Sequence, residues 1–141
     1  MKWLRAWTLG SALTACTGAS ALAQSHDAWR VVSSPKFPTV VAYDTSRVTA
    51  MPHGRAELYQ RFTLHPPRHD PVGVVGSIVM RVVVDCPEKT SAVRSIAKYT
   101  PGGKLLSQTQ TFTIREDDFG PENPGSVEES ALQGICAALH R

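Results

Sequence analysis

Polar and apolar positions alternate most strictly over residues 75–86. Ile78, Met80, Val82, Val84 and Cys86 share one face, and Ser77, Val79, Arg81, Val83 and Asp85 share the other. A period of two in a β-branched run predicts a long strand near the centre of its sheet, and Pro87 ends it. Residues 55–64 alternate as cleanly, with Ala56, Leu58, Phe62 and Leu64 set against Arg55, Glu57, Arg61 and Thr63. Gln60 is the one polar residue in that apolar row. One apolar and one polar face is the pattern of a half-buried antiparallel strand. Residues 91–99 form the next strand, with Val93, Ala97 and Tyr99 on one side and Arg94 and Lys98 on the other. Thr100-Pro101-Gly102-Gly103 is a tight turn, and 104–114 is predicted as the returning strand. Shorter strands are predicted over 28–32, 39–44 and 47–50. Residues 65–73, with three prolines, are predicted to be a surface loop outside any ladder.

The period changes to that of a helix over 126–139. Leu132, Ile135, Cys136 and Leu139 recur at i, i+3, i+4 and i+7, one apolar stripe. Ser126 and Glu129 have the spacing of a capping box, and Glu128 and Glu129 sit where the helix dipole favours negative charge. The elements together predict an α+β fold: an antiparallel meander of about six strands with a C-terminal helix on it. With 141 residues, the chain is one domain in size.

The first residues read as an address. Met1-Lys2-Trp3-Leu4-Arg5 is a short positive start, Ala6 to Ala15 is moderately apolar, and Ala21-Leu22-Ala23 fits a small-x-small cleavage site. Residues 1–23 are therefore expected to be a signal peptide and residues 24–141 the domain. A second reading competes, because Leu13-Thr14-Ala15-Cys16 resembles a lipoprotein box. Cys16 would then be lipidated and residues 17–27 would form a tether. Only about seven apolar-leaning residues precede that box, which favours the cleaved, soluble form. Either way the domain is expected outside the cytoplasm, in the periplasm or on the outer surface of a bacterium. No run of apolar residues is long enough to span a membrane.

Losing Lys2 and Arg5 lowers the formal charge from +3 to about +1. That is too weak for a nucleic-acid binder. It also leaves two cysteines, Cys86 and Cys136, which in an oxidising compartment read as one disulfide. Cys86 is on the apolar face of the central strand and Cys136 on the apolar stripe of the helix. Each face has to bury, and the other is the nearest partner. A bond between them closes a loop of about 51 residues, worth about 4 kcal/mol in the chain-entropy model.

Several features now converge on a family. Asp85-Cys86 closes a strand, Tyr99 precedes the Pro101-Gly102-Gly103 turn, Pro124-Gly125-Ser126 opens a helix, and Cys136 comes late. Together they resemble the surface-adhesin protein E-like family of bacterial exported proteins. Trp29 and Tyr43-Asp44 match its N-terminal half more loosely. The resemblance implies an antiparallel sheet with a disulfide-tethered C-terminal helix. It also implies an interaction module for host matrix or envelope proteins rather than an enzyme.

Other candidate chemistry is sparse. His65 and His69, with Asp70, are the residues that would hold a metal or contact haem in a small periplasmic carrier, the alternative reading. The prolines between them prevent the one-face spacing of a zinc helix, which favours a solvated loop. Glu116, Asp117, Asp118 and Glu122 lack calcium-loop spacing. No G-x-S-x-G, S-x-x-K, H-E-x-x-H, G-x-G-x-x-G or phosphate loop is present, and no cofactor is implied. His53 with Ser46 or Ser77 has nothing to orient it as a dyad. Arg55, Arg61, Arg81 and Arg94 fall on polar faces of neighbouring strands and would make a basic surface with Tyr59. Interleaved Glu57 and Asp85, and the small net charge, favour an ordinary solvated face. Trp29, Tyr43 and Tyr99 are read as core or sheet packing.

Overall fold

Among the described residues the alternation resolves into one antiparallel sheet with one α-helix across one face. The computed structural model describes residues 28–140. The expected signal peptide, its expected cleavage site and Cys16 lie outside the described residues. Seven strands form the sheet: β1 (Trp29–Val31), β2 (Val40–Asp44), β3 (Thr49–Ala50), β4 (Arg55–Asp70), β5 (Gly73–Asp85), β6 (Thr90–Tyr99) and β7 (Leu105–Gln108). Their order is β1-β2-β4-β5-β6-β7, with β3 paired to β4 off that path. The α+β meander is as expected. Helix α1 (Val127–Leu139) follows β7 after a 3-10 turn at Glu116–Asp118. No helix among the described residues is long and apolar enough to cross a membrane.

The even-numbered row of β4 and its partners meet the helix. Tyr43, Ala56, Leu58, Val82, Val84, Leu132 and Ile135 bury as one cluster. Val41, Phe62, Val75, Ile78 and Ala131 continue it toward the other end of α1. Ser126 caps the helix by accepting the Glu129 N–H at 3.1 Å. The return arm of the predicted capping box lands one residue early, where Glu129 Oε2 accepts from the Gly125 N–H at 3.0 Å. Cys86, one residue beyond β5, is bonded to Cys136, with Cα atoms 5.5 Å apart. The tail is thereby tied covalently to the middle of the sheet.

Three expectations need correction. The predicted 65–73 loop is largely strand, because β4 runs on to Asp70 and turns at Pro71-Val72 into β5. The prolines are accommodated because the register with β5 breaks between Thr63 and Arg68. Pro66 and Pro67 sit inside that bulge, so their missing N–H groups cost no ladder bond. Gly76 is the residue left opposite, and a Cβ there would lie 2.5 Å from the Pro101 Cα, so only glycine admits the β6–β7 turn so close.

The returning strand is shorter than predicted and ends at Gln108. Beyond it the Thr109 hydroxyl accepts from the Ile96 N–H at 2.9 Å and takes over the role of a ladder carbonyl. The third correction concerns β6. Its register with β5 shifts between Arg81 and Val82, where Ser95 and Val93 are successive partners and Arg94 is the extra residue. A bulge reverses side-chain parity. Val93 therefore pairs with core residue Val82, while Ala97 and Tyr99 pair with Val79 and Ser77 on the opposite face.

Candidate functional site

Helix α1 covers one face of the sheet, and the opposite face carries the chain's concentration of arginine and aromatic side chains. The cross-strand row Ala42–Arg61–Val79–Ala97–Gln108 runs through its middle. The small side chains of Val79 and Ala97 in that row leave a trough of about 360 Å³. Val79, Ser95 and Ala97 form its floor, and Trp29, Tyr59 and Tyr99 rise around it. Arg47, Arg81 and Gln108 complete the lining.

The arginines interleave with the rings. The Arg47 guanidinium lies 4.1 Å from the Tyr59 ring centre and 6.0 Å from that of Trp29. Arg61 stacks on Trp29 at 4.5 Å, and Arg81 lies 5.9 Å from Tyr59. Cation–π contact of this kind leaves the N–H groups of a guanidinium able to donate elsewhere. Arg47 Nε donates to Asp44 Oδ2 at 2.5 Å, and Arg81 Nε donates to Glu57. Arg94 Nε is 3.2 Å from the second Glu57 oxygen, an ion pair without hydrogen-bond alignment. The terminal nitrogens of Arg47 and Arg81 make no hydrogen bond among the described residues. Asp44 is almost fully buried, which raises its pKa, but hydrogen bonds from Ser46 and Arg47 outweigh this and hold the carboxyl below its usual value.

One end of the same face is closed by the chain itself. Arg55 donates through Nε to Asp85 at 2.8 Å and through both terminal nitrogens to Glu116 at 2.7 Å. Phe119 lies under the same guanidinium at 4.1 Å. The hydrogen bonds from Arg55 hold the Asp85 and Glu116 carboxyls below their usual values and push the Arg55 pKa up.

The structure brings together the expected Cys86 and Cys136. Arg55, Arg61, Arg81 and Arg94 do share a face with Tyr59, but Arg55 is paired with Asp85, and Arg81 and Arg94 with Glu57. Tyr43 is core, as expected, whereas Trp29 and Tyr99 line the trough and not the core. Tyr99, expected as core or sheet packing, is on the trough side because the β6 bulge, invisible in the pattern, reverses its face. The sequence reading missed Arg47 because β3 and its approach are too short to show a period. His65 and His69 are exposed near the far end of β4, and Asp70 is bound to Lys98 at 2.7 Å. No group of three His, Cys, Asp or Glu side chains among the described residues is placed to hold a metal. Of the acidic loop, Glu116 holds Arg55, Asp118 accepts the Arg115 N–H and Glu122 accepts the Ser91 hydroxyl. Ser46 donates to Asp44, and His53 sits in a 3-10 turn with φ 64°.

Comparison with known proteins found no matching family model, no matching curated protein and no matching solved structure.

Proposed function

We propose that this chain is an exported, non-enzymatic binding module of the bacterial envelope, of the kind that its resemblance to the surface-adhesin protein E-like family implies. Its residues 1–23 act as the export signal, and the mature protein begins at Gln24 in the periplasm or on the outer surface. Lipidation of Cys16 is the alternative start and would add a membrane tether. The disulfide supports an oxidising compartment. The observation that carries the reading is the open aromatic–arginine trough on the sheet face that α1 leaves bare. Tyrosine, tryptophan and arginine with free donors are the side chains that dominate protein recognition surfaces. The partner is a protein of the envelope or of a host matrix.

Site-specific photo-crosslinking in the living bacterium tests this. A photoreactive residue replaces Gln108, at the trough, or Gln133, on the exposed side of α1. Adducts with one protein from position 108, and none from 133, are the expected result. Adducts from 133 alone, or retention of the chain in the cytoplasm, overturn the reading.

A further inference from the structure

Charge pairing across the bare face leaves one arginine over. Arg47 pairs with Asp44, Arg55 with Asp85 and Glu116, and Arg81 and Arg94 share Glu57. Arg61, the fifth guanidinium, has no carboxylate within 4 Å among the described residues and makes no hydrogen bond through its side chain there. Its guanidinium instead lies over Trp29, 4.5 Å from the ring centre, beside the trough and cross-strand from its lining residue Val79. Among the described residues five cations stand against four carboxylates, and Arg61 is the one guanidinium of the five with no carboxylate of its own.

We propose that the trough binds a protein segment carrying a single carboxylate flanked by apolar side chains, with Arg61 receiving the carboxylate. The proposal rests on the reading that this face carries the function. A guanidinium already packed on an indole offers its N–H fork to a carboxylate with less side-chain ordering left to make. Arg47, within 6.0 Å of the same ring centre, supplies additional free donors beside it. The floor and rings take the apolar neighbours. The charge balance selects against a polyanion. A sulfated glycan or an anionic lipid surface needs many uncompensated cations, and here four of the five guanidiniums already face resident carboxylates.

The experiment uses a blocked pentapeptide with a central aspartate between leucines and its asparagine counterpart. Binding to the full chain is followed by tryptophan emission, with Trp29→Phe assigning the signal to the trough. The aspartate peptide is expected to saturate. Changing aspartate to asparagine, or Arg61 to Gln, is expected to weaken binding about tenfold or more, and both changes together no more than either alone. Arg61→Lys is expected to restore part of the loss. Unchanged binding by Arg61→Gln, no binding of the aspartate peptide at millimolar concentration, or tighter binding of heparin or phosphatidylglycerol vesicles overturns the proposal. If position 108 still crosslinks a protein in that case, only the carboxylate class falls. If the peptide binds but position 108 crosslinks nothing, it is the proposed function that falls.

Discussion

Replacing Gly134 with alanine is expected to destabilise the protein, although alanine is the better helix former. Gly134 lies in α1 where the helix touches the chain leaving β1. A Cβ added there would stand 2.3 Å from the Val32 carbonyl oxygen and 2.9 Å from the Val32 Cβ. The obstacle is mainly backbone, and that backbone is pinned. The Val32 N–H donates to the Val41 carbonyl at 2.9 Å, and the next residues are held by bonds between Val41 N and Ser33 Oγ at 2.9 Å and between Ser34 N and Ser130 Oγ at 2.7 Å. Overpacking a site that cannot retreat costs about 3 kcal/mol, the upper part of its usual range. The helix gains about 1 kcal/mol from losing the glycine. The net loss is about 2 kcal/mol, which for a domain of this size lowers Tm by roughly 6–10 °C. Thermal unfolding followed by circular dichroism measures it, with the adjacent exposed change Gln133→Ala as a control expected to stay within about 0.5 kcal/mol. A Gly134→Ala protein that melts at or above the wild-type temperature refutes the close helix–chain approach.

Other outcomes follow from the same geometry. The double change Cys86→Ala/Cys136→Ala is expected to cost about 4 kcal/mol in urea unfolding, from the loop that the bond closes; a change below about 1 kcal/mol would show that the clamp adds little. Stability is expected to fall in acid, because the hydrogen bonds from Arg55 hold Asp85 and Glu116 below their ordinary values of 3.8 and 4.5. Between those values and the lower folded ones the unfolded chain binds more protons, so the contribution is full above about pH 5 and is lost as pH drops through 4.5 and below 3.8. Urea midpoints measured from pH 7 to pH 3 should show this, and Arg55→Met should flatten the acid limb; an equally steep limb in the variant would assign it elsewhere. Titration with zinc or haem should give no saturable binding that His65→Ala/His69→Ala removes, whereas loss of such binding in that variant would revive the carrier reading.

Much of the fold was legible because both faces of β4 and β5 obey a strict period of two. The helix was legible from its stripe and its Ser126 cap, and the disulfide from two cysteines on faces that must meet. What stayed hidden were departures from periodicity. The β4 bulge absorbs two prolines that read as a loop, and Arg94 in the β6 bulge turns Tyr99 from the helix side to the bare face. The trough was half legible for the same reason. Tyr59 on β4 and Arg81 on β5 could be read off the alternation, but Trp29 and Arg47 join them only through strand order, which short strands do not announce. The pairing of each arginine with its own carboxylate, and the isolation of Arg61, are properties of side-chain placement that spacing alone does not encode.

In the proposed reading the domain is exported and its helix, covalently fixed to one sheet face, leaves the other face to bind. Intact mass spectrometry of the protein recovered from its own bacterium, with and without an alkylating agent before reduction, tests this most directly. The account predicts a chain beginning at Gln24, two hydrogens lighter than its sequence mass and inert to alkylation until reduced. A chain retaining Met1, with Cys86 and Cys136 both alkylated in the native state, would contradict it.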